Sequence, residues 1–503
     1  MKVLNSIITW LFKQRIGQVE DMIKHPHVTQ NKIFNQLINT AKNTNFGKEF
    51  EYSSIKTLDS FKERVPIYTY ETLFPYIEKI MQGEQNVLWP TEIKWFAKSS
   101  GTTSGRSKFI PVSKEALDDC HFKGAKDTMA IYCHNNPDSK VFAGKSLIMG
   151  GSHQVNQLND SSKYGDVSAV IMQNMPFWSQ FIRTPELKIA LLDEWEEKLE
   201  LMAVQTLSQN VTNMAGVPTW TLVLIKRLLE LSGKSDLSEI WPNLELYVHG
   251  GVNFQPYKQQ FQQLISSPNM RYYQAYNASE GIFGMQIENH VDDMLLMLDY
   301  GVYYEFIPVT NASDERPQTL SLNEVEIGKP YAIVISTNSG LWRYKVGDLI
   351  EFTSVNPYKI KVVGRTKSFM NAFGEEVIVD NADMAIDMAC KRTNAILKEY
   401  TAAPVYFSSG NQGTHEWIIE FAKQPTDIDE FTNILDSSLQ EINSDYEAKR
   451  HKSIALSIPT VHAAPKGTFS TWLKQKGKLG GQNKVPRLNN DREMIDEVLA
   501  LMN

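Results

Sequence analysis

Cysteine is scarce in this sequence, and long apolar runs are missing. The three cysteines, Cys120, Cys133 and Cys390, lie far apart and form no CxxC pair. We therefore expect neither a disulfide framework nor a cysteine zinc site, and we predict a cytoplasmic protein with free thiols. No run approaches the roughly 20 apolar residues that cross a bilayer, so no membrane partner is expected. The short apolar stretch 4–12 predicts the first turns of a docked helix, because it has no cleavage site for a signal peptide.

Basic patches and catalytic histidine patterns are also missing. The net charge is -7 and no Lys/Arg-rich run occurs, so nucleic acid is not expected as a partner. The ten histidines show no metal-ligand spacing. No Ser/His/Asp or Cys/His arrangement indicates a covalent nucleophile, and no obligate protein partner is evident.

The chain is long enough for at least two domains, since 503 residues exceed one hydrophobic core. Helical and strand patterns interleave, which predicts a mixed α/β fold. The helices are expected at residues 31–42, 60–64, 113–133, 184–207, 219–231, 381–400, 426–444 and from about 491. The strands are expected at residues 244–248, 270–276, 294–307, 331–337, 349–353 and 416–421. We place a large N-terminal domain at 1–364 and a small α+β domain at 365–503.

The most informative segment is a loop between two short apolar runs, at residues 95–111. Glycines let backbone N–H groups converge on an anion, and hydroxyl and ammonium groups add donors, so the loop predicts a triphosphate site. Lys98, Arg106 and Lys108 supply positive charge around it. Its hydroxyl and glycine residues are Ser99, Ser100, Gly101, Thr102, Thr103, Ser104 and Gly105.

Two other loop motifs fail on spacing. A Walker loop has four residues between its glycines and then Lys-Ser/Thr before a helix, whereas Arg106 follows Gly105 here and a strand comes next. A hydrolase elbow has the pattern G-x-S-x-G, and Ser104 stands one place too late. Taken alone, the loop is equally compatible with a surface hairpin.

Four downstream motifs add to the loop. Gly250 and Gly251 follow a strand, Tyr276 precedes a polar turn, Asp348 ends the run 341–348, and residues 364–367 read Gly-Arg-Thr-Lys. In this order and spacing the set resembles the acyl-adenylate-forming superfamily. More closely, it resembles the Gretchen Hagen family of auxin-responsive acyl-acid amido synthetases, whose loop pattern S-S-G-T-[ST]-x-G-x-x-K is matched from Ser99 to Lys108. The resemblance covers nearly the whole chain.

The resemblance implies a role for each site residue. The loop from Ser99 to Gly105, with Lys108, would hold the triphosphate of ATP. Tyr276 would lie against one face of the adenine ring, and Gly250 and Gly251 would line the other face. The remaining roles are Asp348 on the ribose hydroxyls, Arg365 on ribose or phosphate, Ser279 on the α-phosphate and Glu280 on Mg²⁺. Taken singly, Glu280 and Arg365 are more typical of surface charges. Tyr276 taken singly is also typical of a packed aromatic ring, and Asp348 of a turn aspartate.

The C-terminal motif implies a catalytic lysine. Residues 480–487 resemble the family pattern Q-Y-K-x-P-R, with Asn483 in place of the aromatic residue, so we assign catalysis to Lys484. Lys474, Lys476 and Lys478 are neighbouring alternatives. Enzymes of the superfamily rotate their small C-terminal domain between adenylation and acyl transfer. The resemblance would place the hinge of this rotation near Arg365 to Lys367.

The expected reaction is ATP- and Mg²⁺-dependent adenylation of a carboxylic acid, followed by acyl transfer to an amino acid. The alternatives are a coenzyme A ligase and a nucleotide-binding protein without turnover. The identities of the acyl acid and amino acid are beyond the sequence. Met172, Met175, Phe177 and Trp178 could line the acyl pocket, although burial in the core is the simpler interpretation.

Overall fold

The fold is taken from a computed structural model of the chain. It describes residues 2–99, 108–150, 155–192, 194–251, 254–311, 316–365, 369–370, 375, 377–405, 413–443, 446–447, 450, 456–478, 484–489 and 491–502. Among these residues, no helix is long and apolar enough to cross a membrane.

The chain divides into two compact units. The larger covers the described parts of 1–101, 105–252 and 264–362, and the smaller covers those of 253–263 and 363–503. Helix and strand alternate in both, so the fold is mixed α/β as predicted.

Eleven described α-helices belong to the larger unit. A π-helical segment, Leu117–Phe122, joins two of them. In chain order they are α1 (Lys2–Lys24), α2 (Pro26–Ala41), α3 (Asn45–Glu49), α4 (Leu58–Arg64), α5 (Tyr70–Met81), α6 (Lys114–Ala116), α7 (Lys123–Asn135), α8 (Val167–Asn174), α9 (Leu187–Ala190), α10 (Trp195–Leu207) and α11 (Pro218–Ser232).

Fifteen described strands belong to this unit, although β15 extends past its end. They are β1 (Trp95–Ser99), β2 (Lys108–Val112), β3 (Lys145–Ile148), β4 (Asn156–Gln157), β5 (Lys163–Gly165), β6 (Arg183–Thr184), β7 (Val211–Gly216), β8 (Leu246–His249), β9 (Arg271–Ala278), β10 (Gly281–Met285), β11 (Met294–Leu296), β12 (Val302–Pro308), β13 (Pro330–Thr337), β14 (Tyr344–Val355) and β15 (Tyr358–Arg365).

Most of these strands form one large sheet. Its order is β12-β13-β14-β15-β11-β10-β9-β8-β7-β3-β6, and a second sheet has the order β2-β1-β5-β4. The strands β6, β3, β7, β8 and β9 run parallel, while β9 and β10 are antiparallel. The pairing therefore changes at β9, where its carboxyl end turns into β10.

The smaller unit has a three-stranded sheet with helices on both faces. Its order is β18-β19-β20, and β16 pairs separately with β17. The elements are α12 (Gln255–Leu264), β16 (Phe369–Met370), β17 (Val377–Ile378), α13 (Val379–Thr393), β18 (Ile396–Val405), β19 (Thr414–Lys423), α14 (Ile428–Ile442), β20 (Thr460–Ala464), α15 (Thr468–Gln475) and α16 (Glu493–Ala500).

The strand β19 shows why this unit needs two helical layers. Trp417 and Ile419 are buried in one apolar cluster with residues of α13 and α14. Ile418, between them, is buried in another with residues of α15 and α16. Successive side chains of a strand point to opposite faces, so both faces of β19 are covered.

Two predicted helices were wrong in part. The helix predicted at 381–400 ends at Thr393, because Asn394 takes a left-handed conformation with φ 52° and the chain continues as β18. The helix predicted at 184–207 is divided into α9 and α10, and Thr184 belongs to β6. Pairing of β6 with β3 outweighs helix propensity there.

Candidate active site

The turn between β9 and β10 occupies a favourable place for a ligand. In open α/β sheets, ligands bind beyond the carboxyl ends of strands where the topology changes. Ser279 is buried and Glu280 half-buried in this turn. The Ile282 N–H donates to Cys120 Sγ at 3.1 Å, which ties the turn to the π-helical segment.

Tyr276, on β9, and Asp348, on β14, meet although three strands separate β9 from β14 in the order of the large sheet. The Tyr276 hydroxyl donates to Asp348 Oδ2 at 2.7 Å, although the residues are 72 positions apart. Tyr276 is 7% exposed and Asp348 6%. The Tyr276 ring packs edge-to-face on Phe283, with centroids 5.1 Å apart. A buried carboxyl group is thus held in place by a phenol from a distant part of the chain.

An irregularity in β14 directs Asp348. Val334 pairs with Lys345 and Ala332 with Leu349, so three residues of β14 lie opposite one residue of β13. Gly347, in this interval, has φ 94°, a left-handed value that costs glycine little. Bulges of this kind reorient side chains beside functional sites. The glycine before Asp348 is therefore explained by the backbone conformation that this bulge requires.

Glu280 lies near the first residue of β14. Burial raises the pKa of Tyr344 well above its ordinary value, and the nearby Glu280 carboxylate, Tyr70 and Glu71 raise it further. Tyr344 therefore stays a neutral phenol beside the Glu280 carboxylate. The sequence included Tyr344 in the 341–348 run but gave it no role.

Tyr70 links this group to the strand that follows the predicted phosphate loop. Its hydroxyl accepts the Phe109 N–H at 2.9 Å. Lys108 Nζ lies 5.8 Å from the centroid of the Tyr70 ring. Sequence reasoning missed Tyr70, since no motif marks it and its partners are distant in the chain. We name Lys108, Tyr70, Tyr344 and Glu280 the loop-base cluster.

The two strands around the loop form an antiparallel pair. Ser99, the last residue of β1, pairs with Lys108, the first of β2. Lys98 Nζ lies 5.9 Å from the Tyr164 ring centroid. The other predicted loop residues lie outside the described part of the chain: Ser100, Gly101, Thr102, Thr103, Ser104 and Gly105.

Gly250 is required by close packing on β9. A Cβ at this position would lie 2.5 Å from the Ala275 carbonyl oxygen and 2.6 Å from Asn277 Oδ1. Gly251 has φ 82°, which favours glycine. The glycine pair therefore lies beside the residues that flank Tyr276.

Arg365 and Lys484 belong to the smaller unit. Arg365 ends β15, and Lys484 is half-buried just before the segment that contacts β18. Lys367 lies outside the described residues.

The side chains around the β9–β10 turn and the loop-base cluster suit a nucleotide–magnesium complex. Mg²⁺ in such sites takes one or two carboxylates and completes its shell with phosphate oxygens and water. Glu280 supplies one carboxylate, and Lys108 lies on the same loop-base cluster. Within the described ranges, no three His, Cys, Asp or Glu side chains could hold a metal by themselves.

The aromatic residues after α8 do not form a buried wall. Met172 is 4% exposed, but Phe177 is 78% and Trp178 57% exposed. Burial in the core was therefore wrong for the two aromatic residues. The 3₁₀ turn Phe177–Phe181 carries them at the surface.

The fold defines a class of protein. The chain superposes on a solved 2-hydroxyisobutyryl-CoA ligase with a TM-score of 0.58 and 14% identity, over 94% of this chain and 91% of the ligase. It superposes on a solved GH3.15 acyl acid amido synthetase in complex with 2,4-DB with a TM-score of 0.81 and 17% identity, over 98% and 96%. The chain therefore has the fold of these two solved enzymes.

The family is narrower than the class. The GH3 family N-terminal domain matches residues 15–270, its central domain 295–365 and its C-terminal domain 380–493. The chain belongs to the GH3 family. A jasmonoyl–L-amino acid synthetase, JAR6 of Nicotiana attenuata, is 23% identical over 97% of this chain and 95% of its own length.

Proposed function

We propose that this chain is an ATP- and Mg²⁺-dependent acyl-acid amido synthetase. In the first half-reaction a carboxylate oxygen of the acyl acid attacks the α-phosphorus of ATP, and pyrophosphate leaves. In the second, the amine of an amino acid attacks the acyl carbon, loses a proton and displaces AMP. The observation that carries the proposal is the Tyr276–Asp348 hydrogen bond beside the β9–β10 turn.

The nucleoside is assigned to the larger unit. Asp348 would accept hydrogen bonds from the two ribose hydroxyls, because a carboxylate accepts several bonds and donates none. Tyr276, held through its hydroxyl, would present its ring to adenine, and the Gly250–Gly251 turn would approach the base from the other side. Arg365 would reach ribose or phosphate.

The phosphates are assigned to the loop 99–105 and to the loop-base cluster. Ser279 would bind the α-phosphate, and Glu280 would hold Mg²⁺. When bound, Mg²⁺ neutralises charge that develops as pyrophosphate leaves. Tyr70 holds the Phe109 backbone and so anchors the strand after the loop.

Lys484 would add a positive charge between the α- and β-phosphates during adenylation. The boundary between 364 and 365, the hinge near Arg365, and movement of the small domain between half-reactions remain proposals. So does a cytosolic location, which the isolated cysteines favour.

The first experiment tests adenylation. We expect acid-dependent exchange of pyrophosphate into ATP when aryl, indolyl and aliphatic acids are screened with Mg²⁺. Asp348→Ala should reduce the exchange about 100-fold or more, since a buried contact to the ribose is lost. Asp293→Asn is the matched control, because Asp293 accepts from Thr353 on the same sheet, outside the proposed site. Exchange that no acid stimulates would leave a nucleotide-binding protein without turnover.

The second experiment identifies the acceptor. With the best acid, AMP release is measured with each amino acid and with coenzyme A. Release that depends on an amino acid supports amide formation. Release with the thiol alone would reject it and favour a coenzyme A ligase, which shares the fold.

A further inference from the structure

A buried ionic cluster forms around Arg487, three positions after the predicted catalytic lysine in the chain. The Arg487 guanidinium is 9% exposed, and its Nη1 donates to Asp383 Oδ1. Its Nη2 donates to the Tyr257 hydroxyl at 3.0 Å, and its Cζ lies 5.0 Å from the Tyr400 ring centroid. The Tyr400 hydroxyl also donates to Asp383 Oδ1, at 2.6 Å. Arg487 therefore has fixed partners from three elements: α12, α13 and β18.

The backbone around Arg487 forms a short parallel bridge with the edge of β18. The Ala402 N–H donates to the Arg487 carbonyl at 2.8 Å, and the Asn489 N–H donates to the Ala402 carbonyl at 3.0 Å. The Thr401 hydroxyl donates to the Pro486 carbonyl at 2.7 Å. The segment 486–489 is thus fixed to the sheet by backbone as well as by side chain.

Lys484 stands at the start of this fixed segment. Val485, the next residue, is 5% exposed and buried in the apolar cluster of α15 and α16. Pro486 restricts Val485 to extended backbone. The backbone position of Lys484 is therefore set by contacts of the residues that follow it.

We propose that Asp383 and Arg487 are positioning residues for Lys484, an inference that rests on the adenylation role proposed for that lysine. The ion pair holds the 485–488 segment on β18, and the segment presents the ammonium group. Tyr257 extends the cluster to α12, which follows the Gly250–Gly251 turn in the chain. A lysine at position 487 keeps the charge but cannot contact Asp383 and Tyr257 together, because its single ammonium lacks the planar fork of arginine.

The test separates the two half-reactions. Arg487→Lys and Asp383→Asn should each lower the kcat of pyrophosphate exchange about 100-fold, the order expected when a catalytic group moves by about 1 Å. Aminolysis of a supplied acyl-adenylate should fall less than about threefold. The KM for ATP should also stay within about threefold, because the nucleoside contacts are elsewhere.

A background without Lys484 distinguishes positioning from general damage. In Lys484→Ala, with ethylamine added to restore a cation, Arg487→Lys should have no further effect on exchange. The matched control is Asp436→Asn, since Asp436 binds Arg450 and the Tyr446 hydroxyl in the same unit by the same chemistry. It should lower stability and leave exchange unchanged.

Three outcomes would overturn the proposal. The first is that Arg487→Lys lowers exchange equally with and without Lys484, which indicates structural damage. The second is that Lys484→Ala abolishes exchange while Arg487→Lys and Asp383→Asn do not change it, which leaves the proposed function standing. The third is that Lys484→Ala leaves exchange intact, which removes the lysine's role and the positioning proposal together.

Discussion

Asp348 lies where little water reaches it, so its protein neighbours decide how its carboxyl group is oriented. The Tyr276 hydroxyl donates a hydrogen bond to one of its two oxygens. A phenol from a distant strand therefore orients the carboxyl group of Asp348.

The sequence predicted both residues of this pair but not the bond between them. Asp348 was expected from the Gly-Asp pair and Tyr276 from the polar turn that follows it. The bond depends on the bulge at Gly347 and on the pairing of distant strands, and neither is visible in local sequence. Tyr70 was missed for the same reason.

Glu399, beside the Arg487 cluster, gives a prediction about pH. Burial raises the pKa of Glu399 from its ordinary 4.5 to about 7, although Arg487 acts in the opposite direction. Between about pH 4.5 and pH 7 the folded protein keeps the Glu399 proton and the unfolded chain loses it. The free energy of unfolding therefore falls as the pH rises through this range. Glu399→Gln should therefore resemble the wild type at pH 4 and exceed its free energy of unfolding at pH 8 by on the order of 2 kcal/mol.

Urea unfolding at pH 4, 6 and 8 checks this. Glu441→Gln, which removes an exposed carboxylate from the same unit, is the control. A difference between Glu399→Gln and the wild type that does not grow with pH would contradict the prediction.

At the scale of elements, a buried arginine fixes the start of β14. Arg343 has φ 41°, and its guanidinium binds Glu305 through Nε at 3.0 Å and Nη2 at 2.9 Å. Its Nη1 donates to the Val65 carbonyl at 2.6 Å, and its own carbonyl accepts the Tyr68 N–H at 2.9 Å. These bonds attach the chain before α5 to β14 and so place Tyr70 near Tyr344.

Loss of Arg343 should damage both stability and the site. Arg343→Met leaves Glu305 as a buried charge without its ion-pair partner, which should cost about 3–5 kcal/mol in the free energy of unfolding. Pyrophosphate exchange should fall with it, because the base of the phosphate loop loses its support. The double variant Arg343→Met/Glu305→Leu should recover much of the stability, since the uncompensated charge is gone. A double variant no more stable than the single one would contradict this account.

Helix ends were the least predictable elements. The pattern at 381–400 is continuously amphipathic, yet Asn394 ends the helix because its left-handed backbone cannot continue one. The residues after it gain more by pairing with β19 than by extending α13. Local propensity does not contain that competition, whereas runs such as 331–337 are apolar enough to predict a central strand.

At the scale of the whole molecule, each unit has its own apolar core. Trp342 lies in the core of the larger unit and Trp417 in that of the smaller, and both are 0% exposed. The sequence predicts a boundary between 364 and 365, and by its contacts the larger unit ends at residue 362. It gave no sign that residues 253–263 group with the smaller unit, because that depends on contacts such as Gln260 Nε2 with the Leu397 carbonyl at 2.9 Å.

Separate cores predict separate unfolding. Truncation of either tryptophan to alanine should cost about 3–5 kcal/mol in the unit that contains it. In native-state hydrogen exchange followed by mass spectrometry, Trp417→Ala should increase exchange of β19 and α14 about 100-fold or more and leave β13 unchanged. Trp342→Ala should do the reverse.

Because 253–263 is grouped with the smaller unit, the hydrogen exchange of α12 should also increase in Trp417→Ala, although α12 lies between strands of the larger unit in the chain. Equal loss of protection in β13 and β19 from either variant would mean that the two cores unfold as one.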